Sequence, residues 1–238
     1  GIKGIPFCDG ETVTEGLDGL GDRLSEYYEL GARFTKWRAV IKISDGLPSK
    51  NCIRLNAHAL ARYAALCQQA KMVPIVEPEV LMDGSHDIDR CFDVTSEVLK
   101  EVFAELNNQK VALNGIVLKP NMVISGMDAA NRADIPTVAS ATVKCLSENV
   151  PDEVPGIAFL SGGQTSEEAT GHLNAMNEMG PHPWQLTFSY GRALQAEPLN
   201  AWSGEDENIP AAQESFIKRS RLNSLARTGN YHPQMEEA

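Results

Sequence analysis

Short apolar runs rich in β-branched residues alternate along this chain with longer stretches whose apolar positions recur at helical spacing. Phe34-Thr-Lys-Trp-Arg-Ala-Val-Ile-Lys-Ile43 reads as a strand bounded by the turn residues Ser44-Asp-Gly46. Met72 to Leu81, Gly115 to Leu118, Val154 to Gly163 and Pro183 to Tyr190 read as four more. Between them the spacing predicts helices over Ser49 to Ala70, Ile88 to Asn107, about Pro136 to Asn149, and Glu167 to Met179, with a last one from Pro210 to Arg227. Ahead of the first strand, Thr12 or Thr14 is placed to cap a helix from about Glu15 to Leu30, closed by Gly31. Asn200 to Asn208 is polar and reads as a loop, and residues 228–238 read as a flexible C-terminal tail.

Five strands alternating with helices at roughly 35–45 residue spacing are the signature of parallel βαβ units. Each strand delivers polar groups toward its C-terminal end. Lys36 and Arg38 are two apart and share a strand face, as do Glu77 and Glu79 with Pro78 between them. Ile116-Val117-Leu118 stops at Lys119, because Pro120 cannot donate to a sheet ladder. Val154 to Leu160 runs into Ser161-Gly162-Gly163 at the start of a helix, where exposed amides favour an anion. The last strand leads through Ser189 and Tyr190 into Gly191-Arg192, a glycine beside a fork-shaped phosphate ligand.

Each motif also has a plain structural explanation. Lys119 fits a solvated lysine at a strand end as well as a nucleophilic amine whose apolar surroundings disfavour its charge. Lys36 and Arg38 fit an edge strand, Ser161 to Gly163 a glycine turn, and the Glu77/Glu79 pair a carboxylate-bearing loop as well as an acid and a base. Five polar strand ends together fit a barrel with one catalytic face better than a doubly wound sheet. The latter gathers its groups at a switch point, usually behind a Gly-rich loop, and no G-x-G-x-x-G or Walker A pattern occurs. The expected fold is therefore α/β, a TIM (β/α)8 barrel, in a single domain spanning 1–238.

Composition narrows the chemistry. The 238 residues carry a formal net charge of −11, which argues against non-specific nucleic-acid binding. No apolar run reaches the length of a membrane span, and the opening residues do not read as a signal peptide. Five scattered cysteines without C-x-x-C spacing fit reduced thiols in the cytoplasm. Five dispersed histidines give no zinc-ligand pattern, so no metal is expected.

Six motifs in order, Asp9-Gly-Glu-Thr12, Thr35-Lys-Trp-Arg38, Pro74-Ile-Val-Glu-Pro-Glu79, Leu118-Lys-Pro-Asn-Met122, Phe159-Leu-Ser-Gly-Gly-Gln164 and Leu186-Thr-Phe-Ser-Tyr-Gly-Arg192, closely resemble class I, Schiff-base fructose-1,6-bisphosphate aldolase. That resemblance implies reversible aldol cleavage of fructose 1,6-bisphosphate with a covalent lysine imine in place of a metal or other cofactor. It gives Lys119 the imine, Glu77 the acid/base role, Lys36 a positioning charge and Glu79 a hold on the lysine network. Ser161, Gly162, Gly163, Ser189, Tyr190, Gly191 and Arg192 fall at the phosphate site on the ketone side, and Lys3 and Arg38 near the other phosphate. It also implies a homotetramer, with cytoskeletal partners. The family's first two strands and most of its third precede the position of Gly1, and they carry the aspartate that acts near the bond that breaks. Only a stub of that third strand is expected at Gly1-Ile-Lys3. An open five-strand barrel exposes two edges, so the expectation is that these residues belong to a longer polypeptide. Alternative readings are a non-catalytic binding protein derived from the family and another Schiff-base barrel aldolase.

Overall fold

The chain opens with a hairpin, Ile2–Gly4 (β1) antiparallel to Thr12–Thr14 (β2), in a sheet of its own. These are the first elements of a computed structural model that describes residues 1–237. The hairpin corrects two expectations. The Gly1-Ile-Lys3 stub is one arm of a hairpin rather than the remainder of a barrel strand, and Thr12 and Thr14 are strand residues rather than helix caps. The next helix, Leu20–Glu29 (α1), starts later than expected, from Gly19 in a left-handed conformation and with no side-chain cap.

The remaining elements alternate as the spacing predicts. They are Phe34–Ile41 (β3), Lys50–Gln69 (α2), Val73–Val80 (β4), Ile88–Asn108 (α3), Val117–Leu118 (β5), Ile135–Asn149 (α4), Gly156–Phe159 (β6), Ser166–Glu178 (α5) and Gln185–Phe188 (β7). Two helices follow, Arg192–Trp202 (α6) and Ile209–Ala226 (α7). α6 starts directly at Arg192 and runs into the stretch expected to be a loop. The five later strands form one parallel sheet in sequence order, β3-β4-β5-β6-β7. This is the α/β barrel architecture over part of its circumference.

Strand alternation decides what faces the site. Trp37, Ala39 and Ile41 of β3 are buried, whereas the alternating Lys36 and Arg38 are exposed. Trp37 stacks on Tyr63 of α2 with ring centroids 5.5 Å apart, so the odd positions of β3 face the helices and the even ones the concave side. β4 continues the pattern, with Val76 and Val80 in the core behind the sheet.

Side-chain caps set the helix starts at the C-terminal ends of the strands. Ser49, Asp87 and Asp134 each accept from a backbone N–H in the first turn of α2, α3 and α4, and Thr165 and Glu168 form a capping box on α5. The hairpin is tied to the same end. Buried Glu11 accepts from Ser49 N at 2.6 Å. Thr14 Oγ1 donates to the Arg38 carbonyl at 2.6 Å and Thr12 Oγ1 to the Val40 carbonyl at 3.5 Å, occupying two outward carbonyls on the free edge of β3.

Residues 228–237, expected as tail, make definite contacts. Tyr231 is buried, its backbone N–H donates to Asn174 Oδ1 at 2.9 Å, and Glu236 meets the fully buried Arg219 of α7. No helix among the described residues is long and apolar enough to cross a membrane.

Candidate functional site

Sheet register brings the charged residues together. Arg38 lies beside Glu77 and Val40 beside Glu79, while Val76 pairs with Leu118, which sets Lys119 one step on, alongside Glu77. The Lys119 amide donates to the Val76 carbonyl at 2.8 Å and continues the ladder past the end of β5. Three strands thus present Lys36, Arg38, Glu77, Glu79 and Lys119 to one concave surface.

Glu77 is the hub. Its side chain is 4% exposed, with Oε2 3.0 Å from Lys36 Nζ and Oε1 3.2 Å from Lys119 Nζ. Two ammonium groups share one buried carboxylate, an arrangement that offsets the cost of burying that charge. The Lys119 side chain is 11% exposed, whereas that of Lys36 is 47% exposed and open to solvent. Buried Glu79 accepts a short hydrogen bond from Arg38 Nε. That bond, ahead of the charge of the same carboxylate, raises the Arg38 pKa above its ordinary value.

The second half of the site forms at the ends of β6 and β7. Ser161 is buried and Gly162 and Gly163 follow it into α5. A Cβ on Gly162 would lie 3.5 Å from Glu79 Oε1 and 3.9 Å from an Arg192 guanidinium nitrogen, so the loop, the carboxylate and the arginine are neighbours. Among the described residues, no acceptor takes the Gly162 or Gly163 N–H. α6 starts here with Gly191 as its cap, while the N-terminus of α5 is closed by its own capping box. Free glycine amides, the N-terminus of α6 and a guanidinium make a seat for a dianion. Ser189 N–H donates to the Phe159 carbonyl at 2.9 Å. The Tyr190 hydroxyl is buried and donates to the Ala169 carbonyl at 2.9 Å, so Tyr190 offers an anion its backbone only. Burial pushes that phenol far above its ordinary pKa. Lys3 sits exposed on the hairpin, and among the described residues it joins none of these ion pairs.

Two residues that sequence reasoning missed support the site. Buried Asn121 accepts from Val80 N–H and donates to Thr95 Oγ1, both at 3.0 Å, pinning the exit of Lys119's strand to the end of β4. Its signal was its place directly after Lys-Pro. Arg132 donates to the Gly163 carbonyl at 2.9 Å, and nothing in its polar surroundings marked it.

A parallel β/α scaffold with its ionisable groups gathered at the C-terminal strand ends around one buried lysine defines a barrel of the lysine-centred class. Comparison with known proteins makes that specific. The family model "Fructose-bisphosphate aldolase class-I" matches residues 1–238, and the chain belongs to that family, a glycolytic one. It is 55% identical over 232 residues to "Probable fructose-bisphosphate aldolase class 1" of Xylella fastidiosa, covering 97% of this chain and 70% of that one. It is 53% identical to "Fructose-bisphosphate aldolase 4, cytosolic" of Arabidopsis thaliana, covering 59% of that protein. Among solved structures it matches the Plasmodium falciparum fructose-bisphosphate aldolase crystallised with TRAP and a small-molecule inhibitor. There the TM-score is 0.95 at 50% identity, over 98% of this chain and 67% of that one. The scaffold is thus the aldolase barrel over a partial chain. Class I members react through a Schiff base without a metal.

Proposed function

We propose that this chain carries the imine-forming and ketone-phosphate-binding half of a class I fructose-bisphosphate aldolase, acting in reversible cleavage of fructose 1,6-bisphosphate to dihydroxyacetone phosphate and glyceraldehyde 3-phosphate. The observation that carries the reading is Lys119 Nζ, nearly buried and 3.2 Å from Glu77 Oε1. At that distance Glu77 takes a proton from the ammonium and frees the amine to add to the ketone carbonyl. The same carboxyl group then returns a proton to the carbinolamine oxygen, which leaves as water, and the imine forms. Lys36, on the other carboxylate oxygen, holds Glu77 in place and balances its charge.

The ketone-side phosphate is assigned to Ser161, Gly162, Gly163 and Arg192, with backbone from Ser189, Tyr190 and Gly191. Arg38 and Lys3 serve the second phosphate, and Glu79 anchors Arg38. A protonated imine accepts the electron pair of the breaking C–C bond, leaving an enamine on Lys119 and releasing the aldehyde. The resemblance puts the base for that cleavage outside these residues, so imine formation with a triose phosphate is the step this chain's own side chains supply.

Borohydride trapping with dihydroxyacetone phosphate, followed by mass spectrometry of the Lys119 peptide, tests the assignment. A reduced triose phosphate adduct on Lys119 is expected. Folded protein with no adduct would refute it and leave a binding role instead. The same reading carries a single partial barrel domain, a cytosolic location, a homotetramer and protein partners of the kind crystallised with the Plasmodium relative. Sedimentation of the purified chain reads the oligomeric state.

A further inference from the structure

The loop after β6 is gripped from outside the site by side chains that the proposed chemistry does not use. Its left-handed turn falls at Gly163, φ +73, where a Cβ would lie 2.6 Å from Met82 Cβ, so the backbone is pressed against the segment that follows β4. Arg132, on the connection that follows Lys119, donates from one guanidinium nitrogen to the Gly163 carbonyl at 2.9 Å. Its other terminal nitrogen lies 3.5 Å from Glu168 Oε1, and Glu168 Oε2 accepts from Thr165 N–H at 2.9 Å to close the capping box. Buried His172 of α5 holds the next residue, with Nδ1 2.7 Å from Gln164 Oε1. With Gln164 Oε1 accepting, the imidazole donates through Nδ1, while Gln164 Nε2 is buried with no partner among the described residues.

Loop position is therefore set at three consecutive residues, Gly163, Gln164 and Thr165, by Arg132, His172 and Glu168. The first of these residues, Gly163, and Gly162 just before it carry the two amides that have no acceptor among the described residues, and Arg192 lies beside Gly162. Hydrogen bonds to an anion are short and directional, so their strength depends on where those amides are held. We propose that Arg132, together with the Gln164–His172 pair, is a positioning clamp that sets the Gly162 and Gly163 amides for the ketone phosphate and so makes the chain discriminate a phosphorylated from an uncharged ketone. The clamp rests on the phosphate assignment above and adds the residues that give that site its selectivity.

The test compares borohydride trapping on Lys119 at increasing concentrations of dihydroxyacetone phosphate and of dihydroxyacetone, which carries no phosphate. Arg132→Gln is expected to raise the ratio of the half-saturating concentrations (phosphorylated over uncharged) about tenfold, the worth of one charged hydrogen bond. His172→Leu is expected to move it in the same direction, and Arg132→Lys, which keeps the charge, to restore part of the ratio. A ratio equal to that of the unaltered chain in both variants, or an equal loss for both ketones, overturns the clamp. Calorimetric titration with dihydroxyacetone phosphate on the same proteins separates this result from failure of the imine assignment. A chain that traps neither ketone yet binds the phosphate more weakly in Arg132→Gln refutes the imine and keeps the clamp. Equal binding by that variant refutes the clamp.

Discussion

Glu77 reaches Lys119 with one carboxylate oxygen, at 3.2 Å, and Lys36 with the other, at 3.0 Å. The register sets Lys119 alongside Glu77, and Lys36, two residues before Glu77's register partner Arg38 on β3, reaches up to the same carboxylate along the shared strand face. If the carboxylate moves protons between Lys119 and the departing hydroxyl, Glu77→Gln leaves the lysine in place and removes the shuttle. Trapping at saturating dihydroxyacetone phosphate is then expected to slow by about 10²–10⁴-fold. Rapid-quench borohydride reduction measures it, and a rate within a factor of two of the unaltered chain would contradict the role.

Gly163 combines a left-handed backbone with a close neighbour. Alanine there has to adopt φ +73 with its Cβ 2.6 Å from Met82 Cβ, so Gly163→Ala is expected to cost about 1–3 kcal/mol in strain, plus whatever the loop gives up by moving. Gly191, at φ −95 with nothing within 4 Å of an added Cβ, is the contrast. Urea denaturation of Gly163→Ala and Gly191→Ala reads both, and equal midpoints would show that Gly163 is not under this constraint.

Arg219 is fully buried and shared between a short ion pair to Glu236 and a longer contact, 3.7 Å, to half-exposed Glu197. It also donates to Thr170 Oγ1 at 2.7 Å and to the Ser166 carbonyl at 3.2 Å, in the first turns of α5. Glu236→Ala strands that charge and is expected to destabilise by about 3–5 kcal/mol, the usual cost of breaking a buried pair. Arg219→Met combined with Glu236→Gln removes both charges and is expected to be less damaging than Glu236→Ala alone. Thermal melts of the two proteins rank them, and the reverse order would rule out a stranded charge as the cause.

His172 is lowered from 6.5 to about 4, chiefly by burial, with the Glu168 charge opposing and Arg132 assisting. The unfolded chain therefore binds the extra proton first as pH falls. Stability from this group is fully present above pH 6.5 and declines down to about 4, by roughly 3 kcal/mol in all. Denaturation midpoints between pH 7 and 4.5 measure the slope, and His172→Leu is expected to flatten it. An unchanged slope in that variant would assign the acid sensitivity to the carboxylates.

The five barrel strands were legible because their β-branched runs and terminal prolines and glycines speak for one conformation only. The site residues on β3, β4 and β5 were legible for a related reason: spacing by two fixes a shared face, and register does the rest. The hairpin was not, since threonine serves equally as a cap and as a strand residue, and three-residue arms carry no periodicity. Pro198 lies inside α6, a position that argues against a helix, and there tertiary packing outweighed local preference. Tyr190 illustrates a different limit. Its place beside Gly191-Arg192 reads as ligand contact, and only the fold reveals that its hydroxyl belongs to the Ala169 carbonyl. Arg132 could not be found at all from its neighbours, because its partner is a backbone carbonyl 31 residues away.

The two threonine hydroxyls on β3 have a bearing on how further chain could join the sheet. They already occupy the outward carbonyls of Arg38 and Val40, leaving Phe34 and Lys36 as the outward positions of that strand with no pairing among the described residues. Any strand arriving from that side must therefore dock from the bottom rung and halt below Arg38, or displace the hairpin to climb higher. The hairpin works as a doorstop: it fixes how far an incoming neighbour can travel, and so the height at which that neighbour would present its own side chains to the level of Lys36.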